Sequence, residues 1–255
     1  MSHQQTTVLI TGANRGIGRG LAEAFLSRRN HTVIAAVRNV DGTTLREYKP
    51  AEGSKLIVVK IENTSRSDAA DAVEQVIKEG ITSLDIVIAN AGINPLDALL
   101  EVKDMDVEQL HHLFDVNTFS FVSLFKAVHP LLKATADSQG RGAPKLVAIS
   151  SYTGQIVDME ATIPARVGSY GVSKLGLNYL VRRAHFENPW LTAWVNDPGF
   201  AQTDNGNATA RLFGMPEAPV TLEQSVVGLQ ARIDAATRSG TSGRFYNFDG
   251  AEFTF

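Results

Sequence analysis

The chain contains no cysteine, which removes disulfides, thiolate catalysis and cysteine-based metal sites together. It has no apolar run of the roughly 20 residues that a membrane span requires. No charged leader followed by a long apolar stretch opens it, so the expected location is the cytoplasm. Lysine and arginine number 24 against 27 aspartates and glutamates, a net charge of −3, and without a basic excess there is no electrostatic footprint for nucleic acid. No internal repeat, low-complexity tract or long linker interrupts the 255 residues, and a single domain is expected. With 44% hydrophobic and 20% charged residues, the composition suits a globular protein with a sizeable core.

Short apolar runs alternate with longer segments of helical periodicity. That order argues for an α/β fold in which a parallel sheet is covered by helices on both faces. The expected strands are Thr7 to Thr11, Thr32 to Arg38, Lys55 to Ile61, Leu84 to Ala89, Lys145 to Ser150, Leu191 to Asn196 and Arg244 to Phe248. The expected helices are Gly16 to Arg29, Arg66 to Glu79, Val107 to Lys133, Gly168 to Phe186 and Thr221 to Thr237. Asn188-Pro189 ends the fourth helix, because a residue before proline is pushed out of the helical region. Gln139 to Pro144 and Phe213 to Pro219 read as loops.

The first strand runs into Thr11-Gly12-Ala13-Asn14-Arg15-Gly16-Ile17-Gly18 and then an amphipathic helix. Glycines at these places permit a tight turn, close approach of backbone to a phosphate and close helix packing, while the helix N-terminus offers N–H groups to a pyrophosphate. A glycine-rich stretch can also be a plain connector; the strand before it and the helix after it favour the phosphate cradle. Further on, Tyr170-Gly171-Val172-Ser173-Lys174 sets a phenol and an ammonium four residues apart on one helical face. A cation there favours the ionised form of a group that titrates near about 10, which suits proton exchange with a carbonyl oxygen.

The spacing Gly-x-x-x-Gly-x-Gly is followed in order by Asn90-Ala91-Gly92, Asn117, Ser151 with Gly154, Tyr170 and Lys174, and Pro198-Gly199-Phe200-Ala201-Gln202-Thr203. Over residues 11 to 203 this set resembles the short-chain dehydrogenase/reductase family. The resemblance implies a Rossmann-type, doubly wound parallel sheet of about seven strands in a three-layer α/β/α arrangement. It also implies a nicotinamide dinucleotide and hydride transfer to or from a carbon bearing oxygen. Tyr170 would then be the proton donor or acceptor, and Ser151 would hydrogen-bond the substrate oxygen. Lys174 would hold the nicotinamide ribose and depress the tyrosine pKa, and Asn117 would anchor a water chain. Donors fixed where charge develops on that oxygen would stabilise the transition state. On the same basis Gly12, Asn14, Arg15, Gly16, Ile17 and Gly18 would line the pyrophosphate, and Glu62 with Asn63 the adenine. Asn90, Ala91 and Gly92 would pass under the adenosine ribose, Pro198 and Gly199 would meet the nicotinamide, and Thr203 would hydrogen-bond the carboxamide of the nicotinamide.

Cofactor choice can be argued from charge. Where an acidic residue would bind a ribose 2′-hydroxyl, about 20 residues beyond the glycines, stands Arg38, and the strand leading to it holds no Asp or Glu. Arg38 and Arg15 suit a 2′-phosphate, so NADPH/NADP+ is the expected cofactor; the alternative is a pair of solvated surface arginines. Tyr170 follows Ser151 by 19 residues, a longer interval than is usual in the family. The loop Tyr152 to Ser169 therefore carries extra chain, and its Gln155, Ile156, Met159 and Ile163 offer a mixed surface towards a substrate. Asp204 to Val220, with Leu212, Phe213 and Met215, is a candidate lid.

Within the family the likeness narrows to fungal ketoreductases that act on a side-chain ketone of an aromatic polyketide. It is carried by Gly12 to Phe25, Arg38-Asn39-Val40, Tyr170 to Tyr179, His185-Phe186-Glu187-Asn188 and Thr241 to Phe245. These are scaffold and cofactor segments, so a general carbonyl reductase of aldehydes or ketones fits equally well. The expected partner is a small-molecule carbonyl substrate, with no nucleic acid and no membrane. His111, His112 and His185 lack metal-ligand spacing and read as surface or packing residues, so no metal is expected. Phe114, Phe119, Phe121 and Phe125 read as core or subunit contact, and the resemblance implies a homodimer or homotetramer. Two rival readings are a dinucleotide-binding regulatory protein with little turnover, and halohydrin dehalogenation. The complete set Asn117, Ser151, Tyr170 and Lys174 speaks against the first, and Gly12, Gly16 and Gly18 with Lys174 against the second.

Overall fold

In the strand Thr6–Thr11, β1, the side chains of Val8 and Ile10 enter one apolar layer and Leu9 the other, because successive side chains of a strand point to opposite faces. The same division runs through the whole sheet of the computed structural model, which describes residues 5–255. After β1 come α1 (Gly16–Leu26), β2 (His31–Val37), β3 (Lys55–Lys60), α2 (Asp68–Lys78) and β4 (Ile86–Ala89). Next are α3 (Val107–Phe114), α4 (Ser120–Gln139), β5 (Lys145–Ile149), α5 (Gly168–Glu187) and β6 (Thr192–Asp197). The chain ends with α6 (Asp204–Leu212), α7 (Leu222–Ala235), β7 (Phe245–Asn247) and β8 (Glu252–Phe253).

The strands form one sheet of eight in the order β3-β2-β1-β4-β5-β6-β7-β8. The first seven are parallel, and β8 adds antiparallel to β7. Strand β8 was not expected from the sequence, since two residues carry no periodicity. Phe253 enters the sheet because its ring packs edge-on against Phe245 at 5.3 Å and Tyr152 at 5.2 Å. One apolar layer lies under α1 and α7, with Phe25, Leu229, Ile233 and Trp194 at its centre. The other lies under α2, α4 and α5, with Val76, Phe121, Leu132, Leu177 and Val181. Burying both faces explains why the strands read as continuous apolar runs rather than alternating ones.

The helix expected over Val107 to Lys133 is divided. Between α3 and α4 the residues Asp115–Phe119 form one wide π turn, and α4 continues through Pro130 to Gln139. The wide turn frees the Val116 carbonyl, which accepts from Asn63 Nδ2 at 2.9 Å and from the Ser120 hydroxyl at 2.7 Å. Helix α4 survives its proline because Val128, Leu131 and Leu132 are buried around it, and that burial outweighs a local cost of roughly 3 kcal/mol. Part of the candidate lid is likewise ordered: α6 was not expected, and Thr203 caps it by accepting from Gly206 N at 3.0 Å.

Strand order reverses between β1 and β4, so the loops after these two strands diverge and open a crevice at the carboxyl edge of the sheet. In doubly wound folds ligands bind at that point.

Candidate active site

The turn after β1 fits a phosphate cradle for geometric reasons. Gly12 and Gly16 hold φ of +66° and +54°, where a side chain would be strained. Gly18 is excluded from carrying a side chain by space: a Cβ there would stand 2.4 Å from the Gly12 carbonyl oxygen and 2.4 Å from Asn90 Nδ2. Arg15 precedes α1 in extended conformation without capping it through its side chain, which leaves the first N–H groups of the helix to a ligand. Asn14 and Arg15 are exposed on the turn, and Arg38 is exposed just beyond β2. Ile17 is half-buried against the α1 layer.

Asn90 fastens the turn to β4. Its Nδ2 donates to Thr11 O at 2.8 Å, while the Thr11 hydroxyl accepts from Asn90 N and Ala91 N, both at 3.0 Å. Glu62 and Asn63 follow β3; Glu62 N is held by Asp68 at 2.9 Å, and Asn63 reaches the π turn. They share a small cleft with Thr11, Ala91 and Asn117. From the other side, the Thr203 methyl lies 3.2 Å from where a Gly16 Cβ would be. Pro198 is tied to α7 by the Ser225 hydroxyl at 2.7 Å, and Gly199 turns the chain at φ +74°. Of the predicted cofactor residues, Gly12 and Gly18 thus back onto Asn90 and Gly16 faces Thr203, while Glu62, Asn63 and Ala91 line one crevice with Thr11.

The four candidate catalytic residues stand at its far end. Asn117, 2% exposed, grips the loop after β4 from both sides: its Oδ1 accepts from Ile93 N at 2.8 Å and its Nδ2 donates to Ile93 O at 2.9 Å. The same Nδ2 meets the Ser173 hydroxyl at 3.0 Å, and that hydroxyl donates to Tyr170 O at 2.7 Å. Asn117 Oδ1 and Lys174 Nζ both approach Gly92, at 3.1 and 3.2 Å from its would-be Cβ. Lys174 is buried, donates to Ile149 O at 2.9 Å, and its Nζ lies 5.6 Å from the centre of the Tyr170 ring. The Ser151 side chain neighbours the Tyr170 phenol, and its hydroxyl accepts from Thr153 N at 3.3 Å and from Thr153 Oγ1 at 3.0 Å.

The electrostatics differ from the expectation in one respect. Burial raises the Tyr170 phenol above its ordinary value, the Asp197 carboxylate raises it further, and only the Ser151 hydrogen bond opposes. The depression expected from Lys174 is not what governs this arrangement, because desolvation of the phenolate is the larger effect. Burial also lowers Lys174 to about 8, against the pull of Asp197. Tyr170 thus keeps its proton at neutral pH, as an acid must before it donates.

Sequence reasoning missed three polar residues of this region. Asn178 lies one turn beyond Lys174 on the same face of α5; it is fully buried, accepts from Ser150 Oγ and donates to Gly154 O at 3.0 Å. Ser173 links Asn117 to the helix that carries Tyr170. Asp197, next to Pro198, is a carboxylate only 8% exposed; a charge at the end of the run Thr192 to Asn196 was the available signal. In the long loop Gln155 departs from the expectation of a substrate-facing surface residue: it is 3% exposed, because its amide donates to Tyr152 O at 3.1 Å and closes the turn. Ile156, Met159 and Ile163 are exposed beside it. In the candidate lid Leu212 and Phe213 are exposed, Asn205 donates to Asn94 O at 2.7 Å, and an Ala201–Val220 bridge closes the base. His185 is a packing residue, held by Ser242 at 2.7 Å.

A dinucleotide-type glycine cradle beside an Asn-Ser-Tyr-Lys set defines a class of oxidoreductases. A sequence model of the short chain dehydrogenase family matches residues 6–210, and the chain belongs to that family. Among its relatives, norsolorinic acid ketoreductase nor1 of Dothistroma septosporum is 45% identical over 95% of this chain and 89% of its own length. Norsolorinic acid ketoreductase of Aspergillus parasiticus is 44% identical over 95% and 88%. The NADPH-bound carbonyl reductase from chicken fatty liver superposes with a TM-score of 0.86 at 26% identity, over 100% of this chain and 96% of that one. Among the described residues no helix is long and apolar enough to cross a membrane.

Proposed function

We propose that this chain reduces a ketone or aldehyde to the alcohol with NADPH. The observation that carries the reading is the placement of Tyr170 between Ser151 and Lys174, whose Nζ lies 5.6 Å from the phenol ring, beside a cradle whose Gly18 leaves no room for a Cβ. The exposed Arg15 and Arg38, with no acidic residue in β2, support a 2′-phosphate and hence NADP. The names of the relatives, norsolorinic acid ketoreductases, support a ketone as substrate.

When bound, the nicotinamide supplies the hydride. The chain's own residues handle the oxygen. Ser151 and Tyr170 donate hydrogen bonds to the substrate carbonyl, and these strengthen as negative charge develops on it. Tyr170, held protonated, passes its proton to that oxygen. The Lys174 ammonium favours the phenolate left behind, and Asn117 fixes the loop between β4 and α3 so that Gly92 stays clear of Lys174. Exposed Phe119, Val122, Val172, Tyr179 and Phe186 on and beside α4 and α5 support a homodimer or homotetramer through these helices.

The test follows the absorbance of NADPH and NADH against aliphatic aldehydes, aryl ketones and aromatic polyketide ketones. Turnover with NADPH is expected, fastest on an aryl or polyketide ketone. Silence across the panel with tight NADPH binding would overturn the reading in favour of a binding role.

A further inference from the structure

The proposed reduction leaves one buried charge unused. Asp197 ends β6, is 8% exposed, and pairs in register with Asn247 of β7. Its Oδ1 accepts from Gly199 N at 3.2 Å, and the backbone N–H of Tyr152 acts on the same carboxylate. One side chain therefore joins the turn that carries Ser151 to the Pro198-Gly199 turn across the crevice. The strands bring them together: β5 and β6 run side by side to Ile149 and Asn196, and Ser150 N donates to Asn196 O at 2.7 Å. Ile149 O, in turn, is the acceptor of the Lys174 ammonium.

We propose that Asp197 is a positioning residue of this site, whose carboxylate clamps the Ser151-Tyr152 turn to the Pro198-Gly199 turn and serves as the counter-charge of the Lys174 ammonium. The inference rests on the reductase reading. A buried ammonium that among the described residues donates to one carbonyl, Ile149 O, is costly to keep charged. The titratable groups that act on the carboxylate are Lys174, which favours its ionised form, and Asp249 from the turn before β8, which opposes it; burial outweighs both and raises Asp197 to about 7. Tyr170 faces the same carboxylate, which favours the protonated phenol. At pH 7 to 8 the carboxylate and the ammonium are both substantially charged, so each stabilises the other's ionic form.

The test is Asp197→Asn, whose amide oxygen still accepts hydrogen bonds but carries no charge. Lys174 then loses its counter-charge and titrates lower, so the basic limb of the kcat/KM profile moves towards acid by about one pH unit. Turnover at pH 8.5 is expected to fall about tenfold while that at pH 6 stays within about threefold, since one pH unit is a tenfold change in the protonated fraction. An unmoved limb with turnover near wild type overturns the proposal and leaves Asp197 a turn former. A wild-type enzyme that reduces no carbonyl sinks the underlying reading instead. Should Asp197→Asn not fold, carboxyl carbon NMR of the otherwise native protein and of Lys174→Met decides. Loss of the ammonium is expected to raise the Asp197 midpoint further, and an unchanged midpoint overturns the pairing.

Discussion

Replacing Gly18 by alanine tests whether the cradle after β1 is built by close approach. Gly18 has ordinary helical geometry, so alanine meets no backbone strain and would by propensity favour α1 by about 1 kcal/mol. The obstacle is steric: the new Cβ stands 2.4 Å from the Gly12 oxygen, 2.4 Å from Asn90 Nδ2 and 2.9 Å from the Gly12 carbonyl carbon. Ordinary contact is about 3.5 Å or more, so the turn and the helix must part by about 1 Å. Neither neighbour is a free side-chain end, since Gly12 O is backbone and Asn90 Nδ2 is committed to Thr11 O at 2.8 Å. Overpacking of this kind costs about 2 kcal/mol, a fall in Tm of about 4 to 8 °C in a chain of this size. Because the displaced atoms are those expected to face the pyrophosphate, the Kd for NADPH should rise tenfold or more, about 1.4 kcal/mol. Fluorescence titration and thermal unfolding read both quantities. Gly20→Ala is the control: its Cβ meets only the Val226 side chain, at 2.6 Å, so Tm falls while Kd stays put. A Gly18→Ala protein with wild-type affinity for NADPH would refute the reasoning.

Three further outcomes are expected. Tyr170→Phe removes the proton donor and should cut kcat by at least about a thousandfold, within the range general acid catalysis supplies, while the Kd for NADPH changes less than about threefold; near-normal turnover would remove Tyr170 from the acid role. Arg38→Ala and Arg15→Ala should each weaken NADPH by about 1 to 2 kcal/mol, the worth of a charge-assisted hydrogen bond, and leave NADH unchanged. Equal losses with the two cofactors would make both arginines surface residues. The third concerns stability against pH. Asp197 titrates at about 7 when folded and 3.8 as its ordinary value, so its neutral form is favoured by folding. That contribution is complete below pH 3.8 and is lost as pH rises to 7. Urea unfolding should therefore show wild type losing about 2 kcal/mol relative to Asp197→Asn between pH 5 and pH 7. A parallel pair of stability curves would contradict the raised carboxyl.

Much of the fold and site was legible in the sequence, for identifiable reasons. Strands β1 to β6 are buried on both faces, so their apolar runs stand out, and the glycine turn and the Tyr170-Lys174 pair are local patterns that need no tertiary information. The features that escaped depend on contacts distant in sequence. Strand β8 exists because Phe253 finds Tyr152, some hundred residues earlier. The π turn in the long helix is stabilised by Asn63, whose amide takes the released Val116 carbonyl at 2.9 Å. Helix α6 was hidden in a stretch that reads as loop, although Thr203 with Asp204 behind it is a capping signal. Gln155 looked like a surface residue because polarity alone does not reveal that a side chain closes its own turn.

The wide turn also explains why a buried asparagine lies where three elements meet. A regular α3–α4 helix would advance about 100° per residue through Asp115 to Phe119, whereas a π turn adds a residue and rotates the later side chains around the axis. At the shifted position the Asn117 amide meets Ile93 on one side and Ser173 on the other. An amide is the side chain that can do this, since Ile93 presents an N–H and a C=O together, and Asn117 supplies an acceptor and a donor to match. Aspartate would set a second acceptor against the Ile93 carbonyl, and leucine would leave both groups unsatisfied at about 1 to 3 kcal/mol each. The loop after β4, the α3–α4 junction and the α5 helix that carries Tyr170 and Lys174 are thereby held in one register. On the proposed reductase reading Asn117 would act on the reacting oxygen through the placement of these elements, and the bulge is the loss of helix regularity that puts it there.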